Sequence, residues 1–189
     1  KAQCLDLPPV ITVTREVPMT PQQNKYYKLL KEQMLVRAAG ETISAVNAGV
    51  AVNKLLQISC GAAYTDDKEV VEFDAAPRLN VLDEVLEETE RKVIIFALFR
   101  SSIDTIVRHL EKSGVAVAQI HGDVSATKRG QIIADFQGLS ERDVPDKETR
   151  TTLNGMRGAR VLVMQPQATA HGITLTAADT VVFFGPLMS

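Results

Sequence analysis

The sequence lacks tryptophan, is poor in aromatic residues and contains only two cysteines among its 189 residues. Cys4 and Cys60 are far apart and form no C-x-x-C pair, which excludes a disulfide framework or a cysteine-built zinc site and favours a reducing compartment. No apolar run approaches the roughly 18 residues that a membrane-spanning helix needs. The N-terminus does not have the pattern of a signal peptide. We therefore expect no contact with a membrane.

The charge balance is nearly even, with 21 Lys and Arg against 23 Asp and Glu and a formal net charge of −2. Global charge therefore does not indicate nucleic-acid binding, and any basic surface must be local. Apolar residues make up 45% and charged residues 23% of the chain, which excludes a disordered or collagen-like chain. The length predicts one compact domain, or one domain with a sizeable appendage.

Several motifs that carry common enzyme chemistry are absent. The sequence has no G-x-x-x-x-G-K-[ST] loop, no G-x-G-x-x-G after a predicted strand and no G-x-S-x-G elbow. The histidines His109, His121 and His171 lack H-E-x-x-H spacing, so we expect no metal site. Asp83 and Glu84 lie inside a helical pattern, which favours a solvated acidic face over a magnesium-binding pair. No residue of this chain is therefore a candidate catalytic residue.

Residues 1–76 are predicted to form an appendage of one strand and two helices. The segment 8–18 alternates apolar and polar residues between prolines, which indicates a short edge strand. Thr20 as N-cap and Gln23 as its capping-box partner predict that a helix begins at Pro21. A second helix is predicted over 42–59, followed by a polar, irregular segment over 61–76.

From residue 77 onward the predicted strands and helices alternate. The run 92–97 is continuously apolar, which is typical of a strand buried on both faces. The alternation predicts an α/β fold over 77–189, with a parallel sheet between helices. Residues 138–159 mix charges of both signs with proline and glycine, which predicts a charged surface insertion. The other predicted strands are 115–120, 160–164 and 180–184, and the predicted helices are 78–90, 101–113 (capped by Ser101 or Ser102) and one capped by Ser125.

Three blocks of sequence follow predicted strands, at the edge where open parallel sheets place their functional loops. They are residues 93–102 (VIIFALFRSS), 119–129 (QIHGDVSATKR) and 161–184 (VLVMQPQATAHGITLTAADTVVFF). Their order and spacing resemble the second RecA-like domain of superfamily-two helicases. Within that superfamily, GITLTAAD at 172–179 and KLLQISCG at 54–61 resemble the Swi/Snf-type branch. AHG at 170–172 and FGP at 184–186 resemble bacteriophage and prophage members.

This resemblance implies a RecA-like fold and ATP-driven movement on double-stranded DNA, with ATP and Mg²⁺ as cofactors of the full-length protein. It also implies a partner domain, the first RecA-like domain of the same chain, which carries the phosphate loop and the Mg²⁺ motif. The sequence lacks an initiator methionine, and we expect it to be a piece of a longer protein whose arginine motif follows Ser189. We expect no bound cofactor and no ATP hydrolysis from this piece alone, and a location in bacterial or phage-infected host cytoplasm.

The resemblance assigns two groups of site residues. The residues expected to contact nucleic acid are Phe99, Arg100, Ser101, His121, Gly122 and Arg129. The residues expected at the nucleotide and at the interface with the other domain are His171, Gly172 and Thr174. The chain departs from the family pattern at Thr169 and Ala170, which stand where relatives carry two glycines, and at Pro166, which stands where a hydroxyl residue is usual.

Several of these positions have a simpler structural alternative. Arg100 and Ser101 open a helix after a buried strand, and a helix N-terminus with a free hydroxyl and an arginine is suited to phosphate. The alternative is that Ser101 is only an N-cap and Arg100 a solvated charge. His121 is predicted to stabilise a turn by hydrogen bonding, and Gly122 to permit a tight turn or close backbone approach. Arg129 is predicted to contact a phosphate or pair with an acid.

Two other classes of protein remain compatible with the pattern. One is a non-enzymatic α/β interaction module that kept the helicase fold and lost the motor. The other is a small-molecule transferase on a similar sheet, which is disfavoured because no catalytic acid, base or glycine-rich loop is evident. A phosphate loop upstream and an arginine block after Ser189 in the parent gene would distinguish the motor from both.

Overall fold

The computed structural model describes residues 9–40, 45–65, 67, 69–138, 158–169 and 175–186. Four described strands form a parallel sheet, and two short strands form a separate antiparallel hairpin. The elements in chain order are α1 (Pro21–Gly40), α2 (Ala45–Ser59), β1 (Ala62–Tyr64), β2 (Val70–Glu72), α3 (Ala76–Glu87), β3 (Lys92–Phe96), α4 (Arg100–Lys112), β4 (Val117–Ile120), α5 (Ala126–Gln137), β5 (Val161–Met164), a 3-10 turn (Pro166–Thr169) and β6 (Ala178–Phe183).

The parallel sheet buries apolar side chains on both of its faces. Successive residues of a strand point to opposite sides. In β3, Val93 and Ile95 lie in a core with α3 and α4, whereas Ile94 lies in a second core with Phe136 of α5. The continuous apolar run of β3 therefore supplies two cores at once. The prediction of an α/β fold with helices on both faces of a parallel sheet is confirmed.

The strand order is β4-β5-β3-β6, so β5 lies between β3 and β4. The last residues of the three strands are aligned, because Met164 pairs with both Phe96 and Ile120. The segments that follow β3, β4 and β5 therefore start from one edge of the sheet, which we call the carboxyl edge. Since neighbouring strands are about 4.8 Å apart, the ends of β3 and β4 are separated by about 10 Å.

The helices that leave the carboxyl edge begin in two different ways. The Ser125 hydroxyl accepts a hydrogen bond from the Lys128 amide (3.3 Å), and α5 ends at Gly138 in the left-handed conformation. By contrast, α4 has Phe99 as its N-cap residue and no side-chain cap. The prediction that Ser101 or Ser102 caps this helix is wrong, because both serines lie inside the first turn and are buried.

The predicted capping box begins α1 as expected. The Gln23 side-chain oxygen accepts from the Thr20 amide (2.9 Å), and the Thr20 hydroxyl accepts from the Gln23 amide (3.3 Å). The Gln23 amide nitrogen also donates to the Ile58 carbonyl (2.9 Å) near the end of α2. Gln23 is therefore buried because it joins the start of α1 to the end of α2.

Two predictions for the appendage are wrong in local structure. Residues 9–20 form no regular secondary structure, so the edge strand predicted over 8–18 is absent from the described part of that segment. Arg15 instead binds the Glu88 carboxylate at the end of α3 (2.7 and 2.9 Å). The segment 61–76, predicted to be irregular, contains the β1–β2 hairpin. Its strands have three residues each, which is too short for an alternating pattern to be recognised.

The appendage packs against the parallel sheet near the end of β6. Beside this contact, within the predicted domain 77–189, the Arg78 guanidinium of α3 donates to the Phe184 carbonyl (2.7 Å) and lies 5.5 Å from the centre of the Phe184 ring. A Cβ atom placed on Gly185 would lie 2.7 Å from the Sγ atom of Cys60, so this contact has no room for a side chain at 185. The predicted division at residues 76 and 77 stays a prediction. Of the predicted insertion 138–159, residues 139–157 lie outside the described part of the chain.

Candidate functional site

Two helix N-termini and two arginines meet at the carboxyl edge. α4 begins directly after β3, and α5 begins directly after the turn that follows β4. The N-terminus of a helix carries a partial positive charge and amide donors without intrahelical partners. Arg100 lies in the first turn of α4 and Arg129 in the first turn of α5. The edge therefore brings two arginine side chains to two helix N-termini in a chain whose net charge is slightly negative.

Arg100 is held by two carboxylates. Its Nε atom donates to both oxygens of Asp104 (3.0 and 3.1 Å), one helical turn further along α4. Its Nη1 atom lies 3.7 Å from Oδ2 of Asp123, in the turn after β4. The side chain thus reaches across the end of β5. The Arg100 side chain is therefore partly exposed, bound to Asp104 on one side and close to Asp123 on the other.

The first turn of α4 contains buried polar atoms without partners among the described residues. They are the hydroxyl oxygens of Ser101 and Ser102 and the Nη1 atom of Arg100. Ser101 and Ser102 are only 6% and 2% exposed. A buried polar group without a hydrogen bond costs about 1–3 kcal/mol. The first turn of α4 therefore carries unsatisfied polar atoms at a helix N-terminus, where anionic oxygens are the favoured partner.

His121 orders the turn that follows β4. Its Nδ1 atom accepts a hydrogen bond from the Asp123 amide (3.3 Å), and its carbonyl accepts from the Val124 amide (3.1 Å). The ring is buried. Burial and the nearby Arg100 guanidinium lower the pKa of His121, and the carboxylates of Asp123 and Asp104 oppose that shift only in part. The neutral ring, with Nδ1 as an acceptor, is the form that this turn stabilises.

This lowered pKa makes the stability of the domain depend on pH. A histidine whose folded-state pKa is lowered stabilises the fold above its unfolded pKa of about 6.5, and that contribution is lost as the pH falls through the folded-state value. Acidification from pH 7.5 to 5 should therefore cost the wild-type chain more stability than His121→Asn, which keeps an acceptor and does not titrate. Urea unfolding at both pH values measures this difference. Equal losses in the two proteins would contradict it.

The remaining predicted contact residues at this edge differ in accessibility. Gly122 is exposed, a Cβ atom placed on it would meet nothing within 4 Å, and its φ is outside the left-handed region. The fold itself therefore does not require glycine here, and the backbone is uncovered. Phe99 is half-buried and starts α4. Arg129 donates from Nη2 to the Val124 carbonyl (3.2 Å), so it braces the turn after β4. Its predicted contact with a phosphate or an acid stays a prediction.

The sequence did not point to Gln165, which ties the carboxyl edge together. Its backbone amide donates to the Ile120 carbonyl (2.9 Å), and its side-chain amide donates to the Leu98 carbonyl (3.1 Å). It therefore joins the end of β4 to the segments that follow β3 and β5. The sequence analysis also did not identify Asp104 and Asp123, the two acids beside Arg100. Only Asp104 had a recognisable pattern, because an acid four residues from an arginine on a helix is a favourable pair.

The other predicted group of site residues lies outside the described part of the chain. This group is His171, Gly172 and Thr174.

Among the described residues, no group of three or more His, Cys, Asp or Glu side chains is arranged to hold a metal ion. Asp83 pairs with the His109 ring, whose Nε2 atom is 2.9 Å from both carboxylate oxygens. None of the described helices is both long and apolar enough to cross a membrane.

Comparison with protein-family models assigns the chain to a known family. Residues 77–188, more than half of the chain, match the model described as the helicase conserved C-terminal domain. The chain therefore belongs to the helicase C-terminal domain family.

Comparison with solved structures supports the same fold. The C-terminal domain of the Sulfolobus solfataricus SWI2/SNF2 ATPase superposes with a TM-score of 0.65 at 22% identity, over 89% of this chain and 68% of that chain. The core of the same ATPase in complex with dsDNA superposes with a TM-score of 0.63 at 21% identity, over 89% of this chain and 33% of that one. The prediction of a RecA-like α/β fold is confirmed.

Two curated relatives are longer proteins. Protein CHROMATIN REMODELING 5 of Arabidopsis thaliana is 26% identical over 195 residues, which cover 94% of this chain and 10% of that protein. The ATP-dependent RNA helicase DBP3 of Eremothecium gossypii is 29% identical over 106 residues, which cover 54% of this chain and 20% of that protein. The chain thus spans between a tenth and a fifth of the length of these relatives.

Proposed function

We propose that this chain is the C-terminal motor domain of a Swi/Snf-type, DNA-dependent ATPase that moves along double-stranded DNA. In this proposal the carboxyl edge contacts the DNA backbone. The observation that carries it is the first turn of α4, where the Nη1 atom of Arg100 and the hydroxyls of two buried serines have no hydrogen-bond partner among the described residues. The related SWI2/SNF2 core was solved in complex with dsDNA, which supports duplex DNA as the partner.

The chemistry of the edge is suited to phosphate and not to base recognition. Helix N-termini, hydroxyls and an arginine bind phosphate oxygens, which position a protein on DNA without reading its sequence. The uncovered backbone at Gly122 adds a place where a phosphate can approach closely. Phe99, at the start of α4, completes the proposed contact surface with Arg100, Ser101, His121, Gly122 and Arg129. Binding through so few contacts should be weak and sensitive to salt.

The nucleotide part of the proposal concerns the parent protein. ATP and Mg²⁺ would be held between this domain and the first RecA-like domain, with His171, Gly172 and Thr174 on this side of the cleft. The bound nucleotide would supply the free energy that drives movement. The ATPases and helicases among the relatives support this part. The resemblance of AHG at 170–172 and FGP at 184–186 supports a phage or prophage origin and a bacterial cytoplasmic location.

Arg100→Ala tests the DNA-binding part directly. We expect the variant to bind a short DNA duplex about three- to tenfold more weakly at low salt, because one charge-assisted contact is lost. The slope of log affinity against log salt should fall by about 0.9, the value for one phosphate contact. Arg129→Ala should act in the same direction. Fluorescence anisotropy of a labelled duplex at several salt concentrations measures both quantities.

Arg108→Ala is the matched control for this experiment. Arg108 lies on the same helix, about 12 Å from Arg100 along the axis, and pairs with Glu72 on the appendage (2.9 Å). Its replacement changes the net charge by the same amount and should leave DNA binding almost unchanged. If Arg100→Ala and Arg108→Ala weaken binding equally, the effect is one of overall charge and the carboxyl edge is not the DNA contact. If the wild-type chain binds no DNA at all, the alternative of a non-motor interaction module gains support.

A further inference from the structure

Asp123 is placed where an anion bound at Arg100 would have to lie. Its Oδ2 atom is 3.7 Å from Nη1 of Arg100 and 3.5 Å from Nδ1 of His121. The Asp123 backbone is held by the hydrogen bond from its amide to the His121 ring (3.3 Å). Its side chain, however, is 88% exposed. The carboxylate therefore sits at the mouth of the site on a fixed backbone, with freedom to move away.

The two carboxylates beside Arg100 have different roles. Asp104 binds Nε at hydrogen-bonding distance with both oxygens, on the same helix, and so fixes the direction of the guanidinium. Asp123 faces Nη1 at 3.7 Å, beyond hydrogen-bonding distance, and Nη1 has no hydrogen-bond partner among the described residues. An ion pair between exposed groups at such a distance contributes little to stability. The Nη1 side is therefore the side of Arg100 that a ligand oxygen can take.

We propose that Asp123 is a competing carboxylate, which neutralises the Nη1 side of Arg100 in the free protein and is displaced when a nucleic-acid phosphate binds there. This inference rests on the proposed DNA contact at the carboxyl edge. It explains why a site rich in donors carries an acid at its mouth. A lone phosphate must displace Asp123 for a single contact, whereas a DNA backbone gains further contacts along the edge. Asp123 therefore favours polyanionic backbones over single small anions.

Asp123→Asn tests the inference because it removes the charge and keeps the shape. At about 0.1 M salt, this variant should bind a short DNA duplex about two- to fivefold more tightly than the wild-type chain. It should also gain affinity for inorganic phosphate, a probe that makes one contact only. Glu111→Gln is the matched control, since it makes the same charge change on α4, about 16 Å from Arg100 along the helix and beyond the Debye length of about 10 Å at 0.1 M salt. It should leave both affinities unchanged.

A double variant separates competition from simple repulsion. If Asp123 acts by occupying Arg100, then Asp123→Asn should have much less effect in the Arg100→Ala background, and the two changes will not be additive. An equal gain in both backgrounds would mean that Asp123 only repels DNA, which overturns the inference. An unchanged or weaker affinity of Asp123→Asn for DNA would also overturn the inference. Because Arg100→Ala alone tests the DNA contact, a normal loss there with no gain for Asp123→Asn refutes the competing carboxylate and leaves the proposed function intact.

Discussion

Phe136→Ala should destabilise the chain by about 3–5 kcal/mol, the usual cost of removing a fully buried phenylalanine. The Phe136 side chain is completely buried in the core between α5 and the sheet, with Ile94, Leu162 and Met164. Lys92 lies over its ring, with Nζ 5.0 Å from the ring centre. Urea unfolding followed by circular dichroism measures the change in the free energy of unfolding.

Phe183→Ala is the matched control for this prediction. Phe183 lies on β6 and is 55% exposed, although its ring stacks on Phe96 with centres 5.6 Å apart. Its removal should cost no more than about 1 kcal/mol, because little apolar surface leaves the protein interior. A similar loss of stability in Phe136→Ala and Phe183→Ala would show that the face of the sheet covered by α5 is not a tightly packed core.

Gly61→Ala should also destabilise the chain strongly, by about 2–4 kcal/mol, because two separate effects act at this position. Gly61 has a φ of +102°, a conformation that costs a residue with a side chain about 1–3 kcal/mol. In addition, a Cβ atom placed there would lie 2.8 Å from the Cβ atom of Ala75, closer than van der Waals contact allows. Thermal or urea unfolding of the variant measures the sum of both effects.

The double variant Gly61→Ala with Ala75→Gly separates the two causes. Ala75→Gly removes the overlapping atom and leaves the backbone strain at residue 61 in place. The double variant should therefore recover part of the lost stability, with a favourable coupling of about 1 kcal/mol or more, as expected for residues in contact. Strict additivity of the two single changes would show that the backbone conformation alone requires glycine. Full stability in Gly61→Ala would refute the described geometry of this turn.

Together, the variants at Arg100, Asp123 and His121 probe one small region by three different readouts. Arg100→Ala should change DNA affinity and its salt dependence, Asp123→Asn should raise that affinity, and His121→Asn should change the pH dependence of stability. The region is coupled because Asp123 lies between the other two side chains, with its Oδ2 atom 3.7 Å from Arg100 and 3.5 Å from His121. The proposed DNA contact is local, so it does not require a basic protein overall.

The strands of the sheet and the start of α1 followed from local sequence. The apolar run at 92–97 predicted a strand buried on both faces, because such short continuous runs are typical of parallel strands covered by helices on both sides. The capping box at Thr20 and Gln23 is a contact within one turn of chain, so its pattern is complete in the sequence. Weak local patterns led to wrong predictions, such as the edge strand predicted from the alternating segment 8–18. Alternation predicts a strand only if a neighbouring strand is present to pair with it.

The amino-acid sequence by itself determined the parallel α/β class, the three blocks of sequence that lie at the carboxyl edge, and the family to which these blocks are similar. Only the tertiary structure decided how those segments meet. Because β5 inserts between β3 and β4, Arg100 crosses the end of a third strand to reach Asp123, a residue with no pattern linking the two in the sequence. Packing also buried Ser101 inside the first turn of α4, and burial lowered the pKa of His121. Such properties depend on which surfaces exclude water, and that is set by packing between elements distant along the chain.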